Sequence, residues 1–182
     1  MMDVIIASNN KGKIREIREL TKGFFDNVFS PADLGLELDI DETGKTFEEN
    51  AIIKARHVYN IARMPALADD SGLCVDALIG EPGIRSARFA GYNATDEDNV
   101  KLLLDRLKGI PYEKRTARFI CCMVLCLDGE KCLAAHGSVE GIILEAPRGN
   151  NGFGYDPVFY YSELSATFAE LPAEVKNSIS HR

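Results

Sequence analysis

Three groups of charged residues in this chain stand where they do little for folding. Asp69-Asp70 follows the apolar run Pro65-Ala66-Leu67-Ala68 and precedes Ser71-Gly72. Neighbouring carboxylates repel by roughly 4 kcal/mol at about 4 Å with an effective dielectric near 20. A cation, a hydrogen bond or a raised pKa has to relieve that. Lys11 and Lys13 flank Gly12 just after Ser8-Asn9-Asn10, at the start of a helical pattern. Cations oppose the helix dipole there. Combined with free backbone N–H groups, they make an anion site suited to phosphate. Asp41-Glu42 precedes a second helix start without capping it, and supplies oxygen ligands of the kind Mg²⁺ takes. Each group also has a plain structural reading: a capped turn, a solvated basic turn and a solvated acidic loop.

The elements that position these groups are legible from periodicity. Asp3-Val4-Ile5-Ile6-Ala7 reads as a buried strand, and Ile14, Ile17 and Leu20 as one face of the helix after the lysines. Ser8, Asn9 and Asn10 are each suited to cap that helix. Neither G-x-x-x-x-G-K-S/T nor G-x-G-x-x-G occurs in this loop. Thr46-Phe47-Glu48-Glu49 fits a capping box, and Phe47, Ala51, Ala55, Val58 and Ala62 then form the buried stripe of a helix ended by Pro65. Asn50 and Lys54, four apart, share a face of it. Pro65 to Ala68 is predicted as a strand ended by Ser71-Gly72, with Asp69 and Asp70 at its carboxyl end, where open α/β sheets place ligands. Leu73 to Leu78 is predicted as a separate strand. Thr95 to Lys108 is a well-capped scaffold helix. Residues 115–127 and 131–144 form a hairpin across Asp128-Gly129, with bulges or bends suggested at Gly137 and Gly141. His136 reads as an edge or packed residue.

Two later stretches add further candidates. Arg88 can reach a phosphate or a carboxylate bidentately, or stand as a lone surface arginine. Arg148-Gly149-Asn150-Asn151-Gly152-Phe153-Gly154-Tyr155-Asp156-Pro157 is a glycine-rich loop with two aromatics and an acid. Phe153 and Tyr155 offer stacking platforms for a base, Gly154 lets the backbone approach a ligand, and Asp156 can accept from a ring N–H. Structural glycines beside core aromatics are the alternative. Lys176, His181 and Arg182 close the chain with donors for a phosphate or a carbonyl-bearing base.

Composition narrows the classes. The 182 residues carry a net charge of −7, which argues against DNA or RNA as the main partner. A single nucleotide needs only a local basic patch. One domain of this size buries enough surface to fold without staples. The five cysteines, Cys74, Cys121, Cys122, Cys126 and Cys132, are odd in number and lack CxxC spacing. They are expected to be buried free thiols in a reducing compartment, neither disulfides nor zinc ligands. No apolar run approaches a membrane span and the N-terminus enters a strand at once, so a cytoplasmic location is expected.

Six stretches in this order resemble the inosine triphosphate pyrophosphatase family, also called HAM1-like. They are Ala7-Ser8-Asn9-Asn10-Lys11-Gly12-Lys13, Thr43-Gly44-Lys45-Thr46-Phe47-Glu48-Glu49-Asn50-Ala51, Leu67-Ala68-Asp69-Asp70-Ser71-Gly72-Leu73, Pro82-Gly83-Ile84-Arg85-Ser86-Ala87-Arg88, Gly152-Phe153-Gly154-Tyr155-Asp156-Pro157 and Ser180-His181-Arg182. The resemblance implies a single α/β domain, an elongated mixed β-sheet flanked by helices, with two lobes and a nucleotide cleft between them. It also implies a homodimer and Mg²⁺-dependent hydrolysis of ITP, dITP and XTP to the monophosphate and pyrophosphate.

By the same resemblance Ser8, Asn9, Asn10, Lys11, Gly12 and Lys13 hold the triphosphate, and Asp41 and Asp70 bind the metal. Asp70 also accepts the proton of the attacking water, and Lys54 is the second catalytic candidate, a cation that joins Lys11 and Lys13 in countering the triphosphate. Ser71 touches substrate. Phe153, Gly154, Tyr155, Asp156, Lys176, His181 and Arg182 frame the base, with His181 and Arg182 as candidate donors to O6. A Maf-like pyrophosphatase acting on other nucleotides and a non-catalytic nucleotide-binding module are the rival readings. Carboxylates crowded near phosphates argue against the second unless a metal is held there.

Overall fold

The computed structural model describes residues 2–182. In chain order its strands are β1 (Val4–Ile6), β2 (Val28–Phe29), β3 (Ala66–Val75), β4 (Thr116–Cys126), β5 (Cys132–Ile143), β6 (Phe159–Tyr161) and β7 (Ala166–Thr167). The helices are α1 (Lys11–Leu20), α2 (Phe47–Ala62), α3 (Asp96–Arg106) and α4 (Ala173–Ile179). The strands make one mixed sheet in the order β2-β1-β3-β4-β5-β6-β7. β1 is parallel to both β2 and β3, with Ile5 opposite Ala66 and Ile6 opposite Leu67, while β6 is antiparallel to β5 and β7. This is the mixed α/β sheet expected. Two compact units divide the chain.

The first unit takes in the chain up to Asp70, Cys121–Gly137 and Arg182. Strand alternation sorts its side chains onto two faces. Val4, Ile6 and Leu67 pack with Ile17 of α1 on one face. On the other, Ile5, Ala7, Ala66, Ala68, Cys122, Val124 and Cys126 pack with Ala51, Ala55 and Val58 of α2. Burying each Val or Ile here contributes about 1.5–3 kcal/mol. Asn10 caps α1, its Oδ1 accepting from the Lys13 N–H at 3.0 Å. Thr46 caps α2 as expected, but Glu49 reaches one residue farther back than a capping box requires, accepting from the Lys45 N–H at 2.6 Å.

The hairpin turn lies at Asp128-Gly129, as read. Leu127 N–H donates to Lys131 C=O, and Asp128 Oδ1 accepts from the N–H groups of Glu130 and Lys131. That register sets Cys126 opposite Cys132, and the two form a disulfide. The expectation of free thiols throughout is therefore corrected: Cys74, Cys121 and Cys122 are free, and the other two are joined across the strand pair. The spacing rule missed this because antiparallel pairing, not sequence proximity, brings them together.

The second unit comprises Ser71–Ile120 and Ser138–His181. Leu73 and Val75 of β3, Leu103 of α3, Leu107 at the cap of that helix, and Phe119, Phe159 and Phe168 form its core. The Phe119 and Phe159 rings are tilted with centroids 4.5 Å apart. Ser71-Gly72 is not the turn predicted, and β3 runs unbroken through it. Gly72 serves close approach instead: a Cβ there would lie 2.2 Å from Gly83 O and 2.5 Å from Ser86 Oγ. Ser86 Oγ accepts from the Leu73 N–H and donates to Gly83 C=O, seating the 3₁₀ turn Gly83–Arg88 on the strand. In the far half of the hairpin, Ile143 N–H donates to Arg115 C=O. This pairing keeps the register seen at the turn, so Gly137 and Gly141 introduce no net bulge. A Cβ on Gly141 would meet the Phe159 ring at 2.5 Å.

Candidate functional site

β1 ends at Ile6, and its last contact with β3 is the Ala7 N–H donating to Leu67 C=O at 2.8 Å. Asp69 and Asp70 lie just past that point, beside the loop that leaves β1. They are mid-strand in β3, yet beyond the carboxyl end of its parallel neighbour. Being consecutive in a strand, they face opposite sides of the sheet.

Asp69 faces the α1 side and is fully buried. Its Oδ1 meets Lys13 Nζ at 2.5 Å, and its Oδ2 accepts from Arg182 Nε at 2.7 Å and from the Cys121 thiol at 3.1 Å. Arg182 Nη1 also donates to Glu16 at 2.5 Å. Burial alone would raise the Asp69 pKa, but Lys13 and Arg182 outweigh it and hold the carboxyl well below the usual range. Burial and the adjacent carboxylate drive the Cys121 thiol strongly upward. This cluster explains the lysine in the first turn of α1, because Lys13 serves a buried acid of β3 on the face that α1 covers. Arg182 is drawn into the same cluster: its side chain is 2% exposed and donates to two acids. Glu16 was not singled out from the sequence. The signal was an acid directly beside the core residue Ile17.

Asp70 faces the α2 side and is 5% exposed. Lys54 Nζ donates to its Oδ1 at 2.6 Å and lies 3.5 Å from Glu42 Oε1. Asn50 Nδ2 approaches Oδ2 at 3.4 Å, and Asn50 Oδ1 accepts from the Gly44 N–H at 2.8 Å. Asn50 and Lys54 are one turn apart on α2, which is why both reach the same carboxylate. Burial raises the Asp70 pKa above the ordinary carboxylate value, against the pull of Lys54 and Lys13, and Glu42 adds to the rise. The Lys54 ammonium thus stands between two carboxylates. Asp41, expected as a ligand, is exposed in the same loop, while Glu42 is the loop acid drawn toward Lys54.

At the N-terminal end of α1, Ser8, Asn9 and Lys11 line an open recess of about 540 Å³ together with Arg15, Arg18 and Leu38. Asn9 Nδ2 donates to Leu38 C=O at 2.8 Å, and Ser8 Oγ accepts from the Asn10 N–H at 3.1 Å. The loop is thus a rigid turn with three basic side chains around it.

In the second unit the glycine-rich loop is built around Asp156, which is 3% exposed. Its Oδ2 accepts from the Phe153 N–H at 2.9 Å and from Lys176 Nζ at 2.5 Å. Lys176 Nζ also sits over the Phe153 ring at 4.9 Å and over Phe168 at 5.7 Å. Gly152 has φ +75°, and a Cβ there would fall 2.0 Å from Asp156 Oδ2, so this glycine serves the loop's own carboxylate. Gly154 N–H donates to Asp96 at 2.7 Å, and the buried Tyr155 donates its hydroxyl to Ser86 C=O at 2.8 Å. Tyr155 is therefore a core anchor, and Phe153, half-buried, is the ring left at the rim. His181 is buried and stacks on Phe119 with centroids 4.8 Å apart. Ser71 and Arg88 are partly exposed.

A sequence model described as the Ham1 family matches residues 4–182. A protein of Geobacter sulfurreducens named dITP/XTP pyrophosphatase is 51% identical, with all of this chain and 92% of the relative aligned. One of the same name from Bacillus subtilis is 47% identical over the same shares. Among solved structures, a HAM1 protein from Coxiella burnetii aligns over all of this chain and 93% of its own, at 43% identity and a TM-score of 0.88. The Staphylococcus aureus Ham1 protein aligns at 42% identity and a TM-score of 0.85, covering 99% of this chain and 92% of its own.

Proposed function

We propose, from the premise that the chain belongs to the Ham1 family, that it hydrolyses ITP, dITP and XTP to the nucleoside monophosphate and pyrophosphate, clearing them from the nucleotide pool. The observation that carries this reading is Asp70, a buried carboxylate with a raised pKa held between Lys54 and Asn50.

The donor set suits Mg²⁺: carboxylate oxygens from Asp70, with Glu42 and Asp41 on the facing loop, leave room for waters and substrate phosphates. Asp70 is the constant ligand in this proposal, and Glu42 joins Asp41 as a candidate because of its ion pair with Lys54. A bound Mg²⁺ would neutralise phosphate charge and lower the pKa of a coordinated water. Asp70 takes the proton of the attacking water. Lys54 and Asn50 orient its carboxylate. Ser8, Asn9, Asn10, Gly12 and the first N–H groups of α1 face the phosphates, with Lys11 countering their charge while Lys13 stays paired with Asp69. Phe153 stacks on the base, Lys176 and Asp156 hold that ring in place, and Gly154, Tyr155 and His181 shape the surrounding pocket. Ser71 and Arg88 act at its border. A homodimer completes the proposal, supported by the exposed run Leu133-Ala134-Ala135 along β5. Sedimentation at micromolar protein should give twice the chain mass.

The deciding assay supplies ITP and Mg²⁺ and identifies the products. IMP with pyrophosphate is expected, and orthophosphate would overturn the cleavage site. Faster turnover of modified pyrimidine triphosphates than of ITP would favour the Maf-like alternative.

A further inference from the structure

A second cluster of ligating side chains lies on the α2 face of the first unit, apart from the nucleotide chemistry. The hairpin register that joins Cys126 to Cys132 sets Cys122 opposite His136 four residues farther from the turn. Glu48, in the first turn of α2, reaches over the same strand pair. His136 Nε2 lies 2.9 Å from Glu48 Oε2 and 3.9 Å from Cys122 Sγ. One ligand atom from each of the three residues falls within 4.8 Å of the others, the sole such cluster of three among the described residues.

We propose that Cys122, His136 and Glu48 form a site for a thiophilic divalent cation of the zinc class, separate from the Mg²⁺ site at Asp70. Zinc takes sulfur at about 2.3 Å and nitrogen or oxygen at about 2.0–2.2 Å in a tetrahedron. Ligand atoms in such a tetrahedron lie roughly 3.3–3.6 Å apart by that geometry. Small rotamer changes bring the observed spacings there. The thiol sits on the sheet and the imidazole and carboxylate stand half-exposed above it, so the fourth position opens to water. One sulfur, one imidazole and one carboxylate select against Mg²⁺, which prefers an all-oxygen octahedron.

The three ligands come from three elements, and this gives the site a consequence. A bound ion would tie the first turn of α2 to β4 and β5. Asn50 in that same turn and Lys54 one turn on are the two partners of Asp70. The cation thus has a direct mechanical connection to the residues that position the proposed base.

The test uses Co²⁺ and Zn²⁺ as probes on the intact protein. Co²⁺ should produce a near-ultraviolet thiolate-to-metal charge-transfer band and the visible bands of a four-coordinate ion. Zn²⁺ should displace it, and millimolar Mg²⁺ should not. Cys122→Ser should abolish the charge-transfer band even though Cys74 and Cys121 remain. His136→Ala, at an exposed position that leaves the core intact, should weaken Zn²⁺ binding by roughly tenfold or more. The proposal is overturned if the band is absent, if it persists in Cys122→Ser, if His136→Ala binds Zn²⁺ as the parent does, or if Mg²⁺ competes. None of these outcomes depends on ITP hydrolysis, so the site stands or falls apart from the proposed activity.

Discussion

Asp69 and Asp70 are chain neighbours with opposite electrostatic fates, because β3 turns one toward α1 and the other toward α2. Asp69 is held ionised by Lys13 and Arg182, while burial lifts the pKa of Asp70. Separation onto two faces, each with its own cation, removes the repulsion that adjacency would otherwise impose. One carboxylate becomes a fixed charge of the fold, and the other is the one proposed above to take the proton of the attacking water.

Asp70→Asn should lower kcat for ITP by about 10²–10⁴, the usual range for a general base, with little change in nucleotide affinity measured by calorimetry. A variant retaining full turnover would remove Asp70 from the chemistry.

Lys54→Met should raise the Asp70 pKa further, since the counter-charge at 2.6 Å is lost. In the metal-free protein, carbon-detected titration should show the carboxyl signal moving to higher pH than in the parent. A shift to lower pH would show that Lys54 does not stabilise the anion.

Arg182→Leu leaves Asp69 and Glu16 buried with one cation fewer. Breaking a buried pair in this way costs about 3–5 kcal/mol, visible as a drop in the denaturant midpoint. Linkage gives the pH sign. Asp69 has a depressed folded-state pKa, so its contribution is present above the unfolded carboxylate value and is lost as pH falls through the folded one. Asp69→Asn should therefore flatten the acid limb of the stability curve. Unchanged acid unfolding would contradict this assignment.

Phe153→Ala should raise KM for ITP with a smaller effect on kcat, by the roughly 1–3 kcal/mol of one stacked base. Tyr155→Phe should act differently. It leaves the Ser86 carbonyl without its donor and should cost about 1–3 kcal/mol of stability, read in thermal melts. If the Tyr155 variant shifts KM and the Phe153 variant does not, the two rings have exchanged roles.

Local signals carried much of the architecture. The strand-loop-helix at the N-terminus, the Thr46 and Thr95 caps and the Asp128-Gly129 hairpin all rest on interactions within a few residues, and each formed where its residues indicated. The misreadings share a different cause. Ser71-Gly72 has turn chemistry, but Gly72 is there for Gly83 and Ser86, a packing partner that composition does not reveal. Arg182 finds Asp69 at a separation of 113 residues, and no periodicity links them. Lys13 looked like an unmet cation only because its acid lies on another strand. The candidate site was legible as a set of residue types; which carboxylate received which cation emerged from strand parity.

The cross-strand disulfide joins residues six apart in sequence, around a turn already closed by the Leu127–Lys131 pairing and the Asp128 side chain. A loop so short removes less freedom from the unfolded chain than a long one would, worth about 2 kcal/mol by the loop-entropy relation. Reduction would leave two thiols side by side in an unchanged register. The hairpin should thus tolerate either redox state, so the fold carries no commitment to an oxidising or a reducing milieu.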